Sequence, residues 1–286
     1  MEALWPILWQ SVLLPAGCML LGGALAMMLR RWPWASQSVF VLAVTVAAIA
    51  VDVSSRGGWD YWPADATRRP PWLGFAALIL IPFYSKQSLI SFMAMLLLFA
   101  SLMGIHPRAT FVDPRSQYLL LVIGSWCIIA AFWLTFGQAS TSVTTVELGL
   151  ALSCFPLTGV MLLNHSASLA QQALGTGAAW VLLVLLGNRA KLTRKAATLV
   201  ALFLYVSWVL ASAQFSELPA TLTLLLLLAP VFPVVAERCL LAAPRWMRFA
   251  TIISVALIPA CYTMLVLQDQ KATTNRAVQQ PSFKYQ

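Results

Sequence analysis

The sequence contains very little charge. Asp, Glu, Lys and Arg make up 9% of its 286 residues, whereas hydrophobic residues make up 60%. An ordinary soluble domain carries about 25% charged residues. A soluble fold of this size could not hide so much apolar surface from water, but a lipid bilayer requires no polar exterior. The scarcity of charge therefore excludes an ordinary soluble protein and predicts an integral membrane protein whose main partner is the lipid bilayer.

The sequence also lacks the patterns of several other classes of protein. Its five cysteines form no CxxC pair and it has only two histidines, so we expect no metal site, no cofactor and no disulfide framework. No basic residue precedes Arg30, so the first segment is predicted to be a retained helix rather than a signal peptide. The net charge is +9, but no basic run is long enough to indicate a nucleic-acid partner.

Apolar runs account for most of the chain, and each is a candidate transmembrane helix. The ten runs are Ile7 to Leu29, Ser36 to Val53, Trp72 to Tyr84, Ser88 to Met103, Gln117 to Phe136, Val146 to Leu163, Leu169 to Leu186, Ala196 to Ala213, Leu218 to Ala236, and Phe249 to Leu267. The predicted fold is all-α: a polytopic bundle of about ten transmembrane helices with short loops. Residues 1–267 form a single transmembrane domain, and residues 268–286 form a polar, disordered tail.

Loop charge predicts the orientation. The run Trp72 to Tyr84 is shorter than the roughly 20 residues of a full span. If it did not span, the basic cluster from Arg189 to Lys195 would face outward, against the tendency of basic loops to remain in the cytoplasm. We therefore expect ten spans, with both termini outside a cytoplasmic (inner) membrane. The inner loops then hold Arg30, Arg31, Lys86, Arg189, Lys191, Arg194, Lys195, Arg238, Arg245 and Arg248, against the acids Glu147 and Glu237.

Prolines within the apolar runs provide the candidate substrate-binding residues, which are Pro156, Pro230 and Pro233. Each removes one backbone hydrogen bond from its helix. Near Pro230 the freed carbonyls, such as those of Leu226 and Ala229, must meet water, a hydroxyl from another helix, or a local change of helix type. We expect a kink at Leu226 to Pro230 that faces the bundle interior. A simple packing kink remains the alternative to a substrate site.

Small residues are concentrated in three stretches: Gly22 to Ala26, Ala43 to Ala50, and Gly175 to Ala179. Such residues allow helix backbones to approach each other closely. We expect them to serve packing within the bundle, and a dimer seam is the alternative.

The predicted outer face carries the residue types that acid–base chemistry or metal binding would need. They are His106, His165, Asp60 and Asp113, which we name as the catalytic candidates should the protein be an enzyme. Asp52 is expected near a helix end on the same side. The spacing of these residues matches no metal-ligand motif, and a solvated loop region with an aromatic belt is the simpler interpretation.

Three functions are compatible with this pattern. The first is a transporter or permease for a small neutral or amphiphilic molecule, which the proline-broken helices favour. The second is a membrane-embedded enzyme acting on a lipid or lipid-linked substrate at the outer face. The third is a structural subunit of a larger membrane complex. Of these we favour transport. The absence of mid-membrane Asp, Glu, Lys or Arg from the predicted spans argues against a proton pump.

Overall fold

A computed structural model describes residues 9–56, 143–163, 167–190, 195–215, 218–240 and 242–279. Within these ranges the chain is helical apart from short turns, and no β-strand occurs among the described residues. A five-residue π-helix, Trp9–Leu13, leads into the first α-helix. The α-helices are α1 (Leu14–Met28), α2 (Pro33–Arg56), α3 (Val143–Leu163), α4 (Ala167–Ala190), α5 (Lys195–Phe215), α6 (Ala220–Leu228), α7 (Val231–Cys239) and α8 (Arg245–Gln279).

Prolines set the starts of several helices. Pro15 lies in the first turn of α1, and Pro33 is the first residue of α2. At the first position of a helix the missing N–H has no intrahelical acceptor to lose, so Pro33 begins α2 without breaking it. Pro230 differs, because it directly precedes α7 at the point where the ninth apolar run is interrupted.

Contacts between helices define the two ends of the bundle. Asp52, near the end of α2, bonds to Gln172, near the start of α4, so these two helices run antiparallel. Glu147 and Thr198 lie near the starts of α3 and α5 and bond to each other at the opposite end. We refer to the Asp52 end and the Glu147 end of the bundle. Consequently, α2 finishes at the Asp52 end, and α3 begins at the Glu147 end.

Small residues serve packing within the bundle, as predicted. A methyl group added to Gly22 of α1 would overlap the Cβ of Ala43 in α2. A methyl group added to Gly177 of α4 would lie 2.7 Å from the Cβ of Cys154 in α3. In both cases the added methyl carbon would lie closer to its neighbour than non-bonded carbon atoms can approach. These glycines therefore set the spacing of the α1–α2 and α3–α4 hairpins.

Two of the described helices are long and apolar enough to cross a membrane, over Ala35–Ser54 and Trp246–Ala272. The pair α6 and α7 would form a third span, bent by 48° at its break. Shorter apolar helices occupy Leu14–Met28, Glu147–Leu163 and Val200–Ala213. The described chain is therefore all-helical with two or three candidate spans, which supports membrane localisation, while a count of ten goes further than these helices do.

Two differences from the predicted run boundaries concern coverage and length. The third, fourth and fifth predicted spans, from Trp72 to Phe136, lie outside the described residues. The last helix, α8, continues to Gln279, whereas its apolar run ends at Leu267. Lys271, on this extension, donates a hydrogen bond to the main-chain carbonyl of Leu163, the last residue of α3. The hydrogen bond of Lys271 therefore fixes the polar extension of α8 to α3, and the apolar pattern of the sequence does not predict this contact.

Candidate functional site

The ninth predicted span is broken inside the bundle, as the prolines predict. Its halves, α6 and α7, meet at an angle of 48°. Pro230 and Pro233 are buried, and Leu226 and Ala229 beside them are fully buried. The kink therefore lies where the sequence places it, between Leu226 and Pro230, and it faces the protein interior.

A hydroxyl from another helix meets one of the freed carbonyls. In a regular helix the N–H of residue 230 would donate to the carbonyl of Leu226, but proline has no N–H. Instead, Tyr205 of α5 donates its hydroxyl to that carbonyl across 2.9 Å. The N–H of Ala229 donates to the same oxygen at 3.1 Å, in a tighter turn. Two of the three predicted solutions, a hydroxyl and a change of helix type, therefore occur together.

Pro233 contacts a second helix, but the structure does not bring all three candidate prolines into one contact. A methyl group on Gly149 of α3 would lie 2.7 Å from the Cγ of Pro233, so the proline ring packs directly on this glycine. Pro156 lies two turns further along α3, inside the helix and only partly buried. Pro156 is not part of the Gly149 contact.

A second interior feature is a chain of hydrogen bonds that joins three helices near the Asp52 end. The indole Nε1 of Trp208, in α5, donates to Oε1 of Gln172 across 2.9 Å. Nε2 of Gln172 donates to Oδ1 of Asp52 across 2.8 Å. All three side chains are fully buried. We call these three residues the interior polar chain.

The hydrogen-bonding capacities of the side chains fix the direction of this chain. An indole nitrogen can only donate, so it must face the amide oxygen of Gln172. The amide nitrogen then faces Asp52, whose carboxyl oxygen accepts. The two hydrogen bonds thus fix the orientation of the Gln172 amide, and its N–H group points to the carboxyl group of Asp52. Such an arrangement can hold a carboxyl group inside an apolar bundle, where an unmet polar group is costly.

A second buried acid occupies the opposite end of the bundle. Glu147 is fully buried, and its Oε1 accepts a hydrogen bond from the hydroxyl of Thr198 across 3.1 Å. This contact joins α3 to α5. The bundle therefore encloses a hydrogen-bonded acidic residue near each end, and α5 supplies a partner to both Gln172 and Glu147.

The burial of these acids corrects the sequence interpretation. Asp52 was expected on a solvated outer face, and Glu147 was counted among the acids of the inner loops. Both lie near helix ends, but neighbouring helices cover them completely. Gln172 and Trp208 were not among the site residues predicted from the sequence. A glutamine within an apolar helix was an available signal, because lipid offers its amide no hydrogen-bond partner.

The outer-face candidates remain predictions. His106, His165, Asp60 and Asp113 all lie outside the described residues. Over the part of the chain that the structure does describe, no group of three or more His, Cys, Asp or Glu residues could hold a metal ion. The interior polar chain and the broken helix are therefore the features on which a function can be argued.

The chain matches no known protein family, no characterised protein and no solved structure.

Proposed function

We propose that this chain is a ten-span transporter or permease of the cytoplasmic membrane, with both termini outside, that carries a small neutral or amphiphilic molecule. The observation that carries the proposal is the interior polar chain of Asp52, Gln172 and Trp208. Polar and ionisable groups inside a membrane bundle are rare, and they commonly mark the pathway of a substrate.

The broken helix adds a second line of support. Membrane transporters often build their sites from discontinuous helices, whose breaks expose backbone groups within the bundle. The break between α6 and α7 lies in the protein interior, with Tyr205 of α5 bonded to its free carbonyl. Since Trp208 lies one turn further along α5, one helix contacts both the broken helix and the interior polar chain.

Topology supports an odd number of spans between α2 and α3. Because α2 ends at the Asp52 end and α3 begins at the Glu147 end, a chain joining them within a bilayer must cross it an odd number of times. The three spans predicted between residues 57 and 142 meet this condition, whereas two would not. The predicted number is odd only if the short run Trp72 to Tyr84 is itself a span.

The distribution of basic residues supports the predicted orientation. Among the described residues, seven bases belong to the Glu147 end: Arg30, Arg31, Arg189, Lys195, Arg238, Arg245 and Arg248. Three belong to the Asp52 end: Arg56, Lys271 and Arg276. Cytoplasmic loops carry the excess of Lys and Arg. We therefore assign the Glu147 end to the cytoplasm and the Asp52 end to the outside.

Proteoliposomes would test the transport function. Permeability to urea, glycerol and xylitol can be followed by stopped-flow light scattering. Movement of a short-chain phospholipid with a fluorescent NBD label can be followed by dithionite quenching. We expect at least one of these neutral or amphiphilic probes to cross several-fold faster than in empty vesicles. If none crosses faster, transport of this class of molecule is rejected.

A matched pair of variants connects the flux to the interior polar chain. Gln172→Leu removes both hydrogen bonds of the chain, and we expect it to abolish most of the added flux. Thr263→Val is the control, since the hydroxyl of Thr263 is also buried but donates only to the Pro259 carbonyl of its own helix. Equal flux in the two variants would show that transport does not depend on the interior polar chain.

The enzyme and the structural subunit remain alternatives. The enzyme depends on His106, His165, Asp60 and Asp113, and alanine substitutions at these four positions would test it. If the protein turns over a lipid-linked substrate and the substitutions leave that turnover unchanged, these four residues are not catalytic.

A further inference from the structure

Polar side chains follow one another along one face of α4. Gln172, Thr176 and Trp180 lie four residues apart, which places them on successive turns of the same face. Their exposed fractions are 0%, 4% and 1%, so all three are buried among other helices. We call these residues the α4 polar stripe. Its first member, Gln172, is the residue that joins Asp52 to Trp208.

The other two members have polar atoms whose hydrogen-bonding capacity is not used within the described part of the chain. Neither Thr176 Oγ1 nor Trp180 Nε1 has a hydrogen-bond partner there, although both atoms are buried. Other buried threonines behave differently, since Thr45, Thr158 and Thr263 each donate to the carbonyl four residues earlier. A buried donor without an acceptor is unfavourable, so a partner that reaches these atoms would be stabilised.

The chemistry of the two atoms defines that partner. An indole N–H can only donate, so the atom that faces Trp180 must be an acceptor. The hydroxyl of Thr176 can donate or accept. None of the three stripe residues carries a charge, and an ion without an opposite charge beside it would be strongly disfavoured in the interior. The partner is therefore an uncharged acceptor, and the oxygen of a carbonyl or hydroxyl group meets this requirement.

We infer that the α4 polar stripe binds the carbonyl or hydroxyl oxygen of a small uncharged solute. Trp180 Nε1 donates to that oxygen, and Thr176 provides a second contact one turn closer to Gln172. The inference depends on the proposed function only in treating the solute as cargo, since binding can be measured without transport. A water molecule presents the same acceptor chemistry, and the experiment must distinguish it from a solute.

Indole N–H resonances of the full-length protein in detergent provide the test, with tryptophan labelled with ¹⁵N. The Trp180 signal is assigned by its loss in Trp180→Phe. The probe is 2-heptanone, which has a carbonyl acceptor and no donor, and heptane is the apolar control of matched length. We expect 2-heptanone to shift the Trp180 signal saturably and heptane to leave it unchanged. Thr176→Val should weaken binding by up to about tenfold, the effect of losing one hydrogen bond, whereas Thr263→Val should not.

Two results would overturn the inference. No saturable shift, together with slow exchange of the Trp180 N–H in D₂O, would show a dry and closely packed indole. No saturable shift with fast exchange would show that water alone occupies the stripe. The transport proposal is separate from both, because flux through proteoliposomes is measured on other probes. Binding without flux would reject transport, and flux without binding would reject the stripe as a site.

Discussion

The hydroxyl of Tyr205 donates a hydrogen bond to the main-chain carbonyl of Leu226, with 2.9 Å between the two oxygen atoms. This carbonyl is the one that Pro230 leaves without its usual helical donor. Tyr205 therefore compensates in α5 for a defect that proline creates between α6 and α7. The two residues are 21 positions apart in the sequence, and only the packing of the helices brings them together.

Replacing Tyr205 by Phe should destabilise the protein while preserving its ring packing. The substitution removes one hydrogen bond to a buried carbonyl, and we expect a loss of about 0.5–1.5 kcal/mol in the free energy of unfolding. Unfolding of the purified protein in mixed micelles would measure it. The control is Tyr262→Phe, because Tyr262 is 56% exposed. Equal losses in both variants would show that the Tyr205 hydroxyl contributes nothing specific.

Replacing both Pro230 and Pro233 by Ala should straighten the broken helix. Alanine restores the two missing N–H donors and favours a continuous helix. Spin labels at Thr221 and Cys239 would report the change, since both residues are exposed and lie near opposite ends of the broken span. At a rise of 1.5 Å per residue, loss of the bend should lengthen their separation by about 2 Å. Pro259→Ala, in α8, is the control and should leave this distance unchanged.

Proteoliposome flux in the proline variant separates a functional break from a packing kink. If the break belongs to the transport pathway, the fractional loss of flux should exceed the fractional loss in the free energy of unfolding. A straightened helix with full flux would leave the kink as packing alone.

Replacing Gly22 by Ala should destabilise the α1–α2 hairpin. The added methyl group would overlap Ala43, and relief of the overlap requires the two helices to separate. Such overpacking costs about 1–3 kcal/mol. Gly17→Ala is the control on the same helix, because nothing lies within 4 Å of the added methyl group there. That variant should be neutral or stabilised by up to about 1 kcal/mol through helix propensity. If both variants have the same stability, Gly22 does not set the spacing.

Cysteine labelling of intact cells would test the orientation. Single cysteines at Ala242 and Gln270, both exposed, report the Glu147 end and the Asp52 end. In a background with all five native cysteines replaced by Ser, an impermeant maleimide should label position 270 directly and position 242 only after permeabilisation. The expectation follows from the excess of basic residues at the Glu147 end. The opposite pattern would reverse the predicted topology, and labelling of both positions from outside would reject it.

Composition is sufficient to predict that the described part of the chain is helical. Uninterrupted apolar runs determine α2 and α8, and the prolines determine where the span from Leu218 to Ala236 breaks. The small residues predict close helix contacts, and Gly22 and Gly177 make them. Each of these properties is local, since it depends on residues within one or two helical turns and on the absence of polar groups from the bilayer.

The candidate site depends on information that is not local. Asp52 appears in the sequence as an acid near the end of a run, which is equally compatible with a solvated loop. It is buried because Gln172, which is 120 residues away, and Trp208 pack against it. Apolar runs in a membrane helix have little amphipathic pattern, so the sequence does not indicate which face of each helix meets its neighbours.

By itself, then, the sequence determined that the described part of the chain is helical and suited to a membrane, and where one helix bends. The tertiary structure decided which carbonyl Tyr205 meets, which glycines contact another helix, and that Asp52 and Glu147 are enclosed. The physical reason is that lipid imposes a single requirement on every span, namely an apolar surface with its backbone hydrogen bonds satisfied. That requirement is visible in composition, whereas the pairing of polar groups between helices depends on how the helices are arranged around one another.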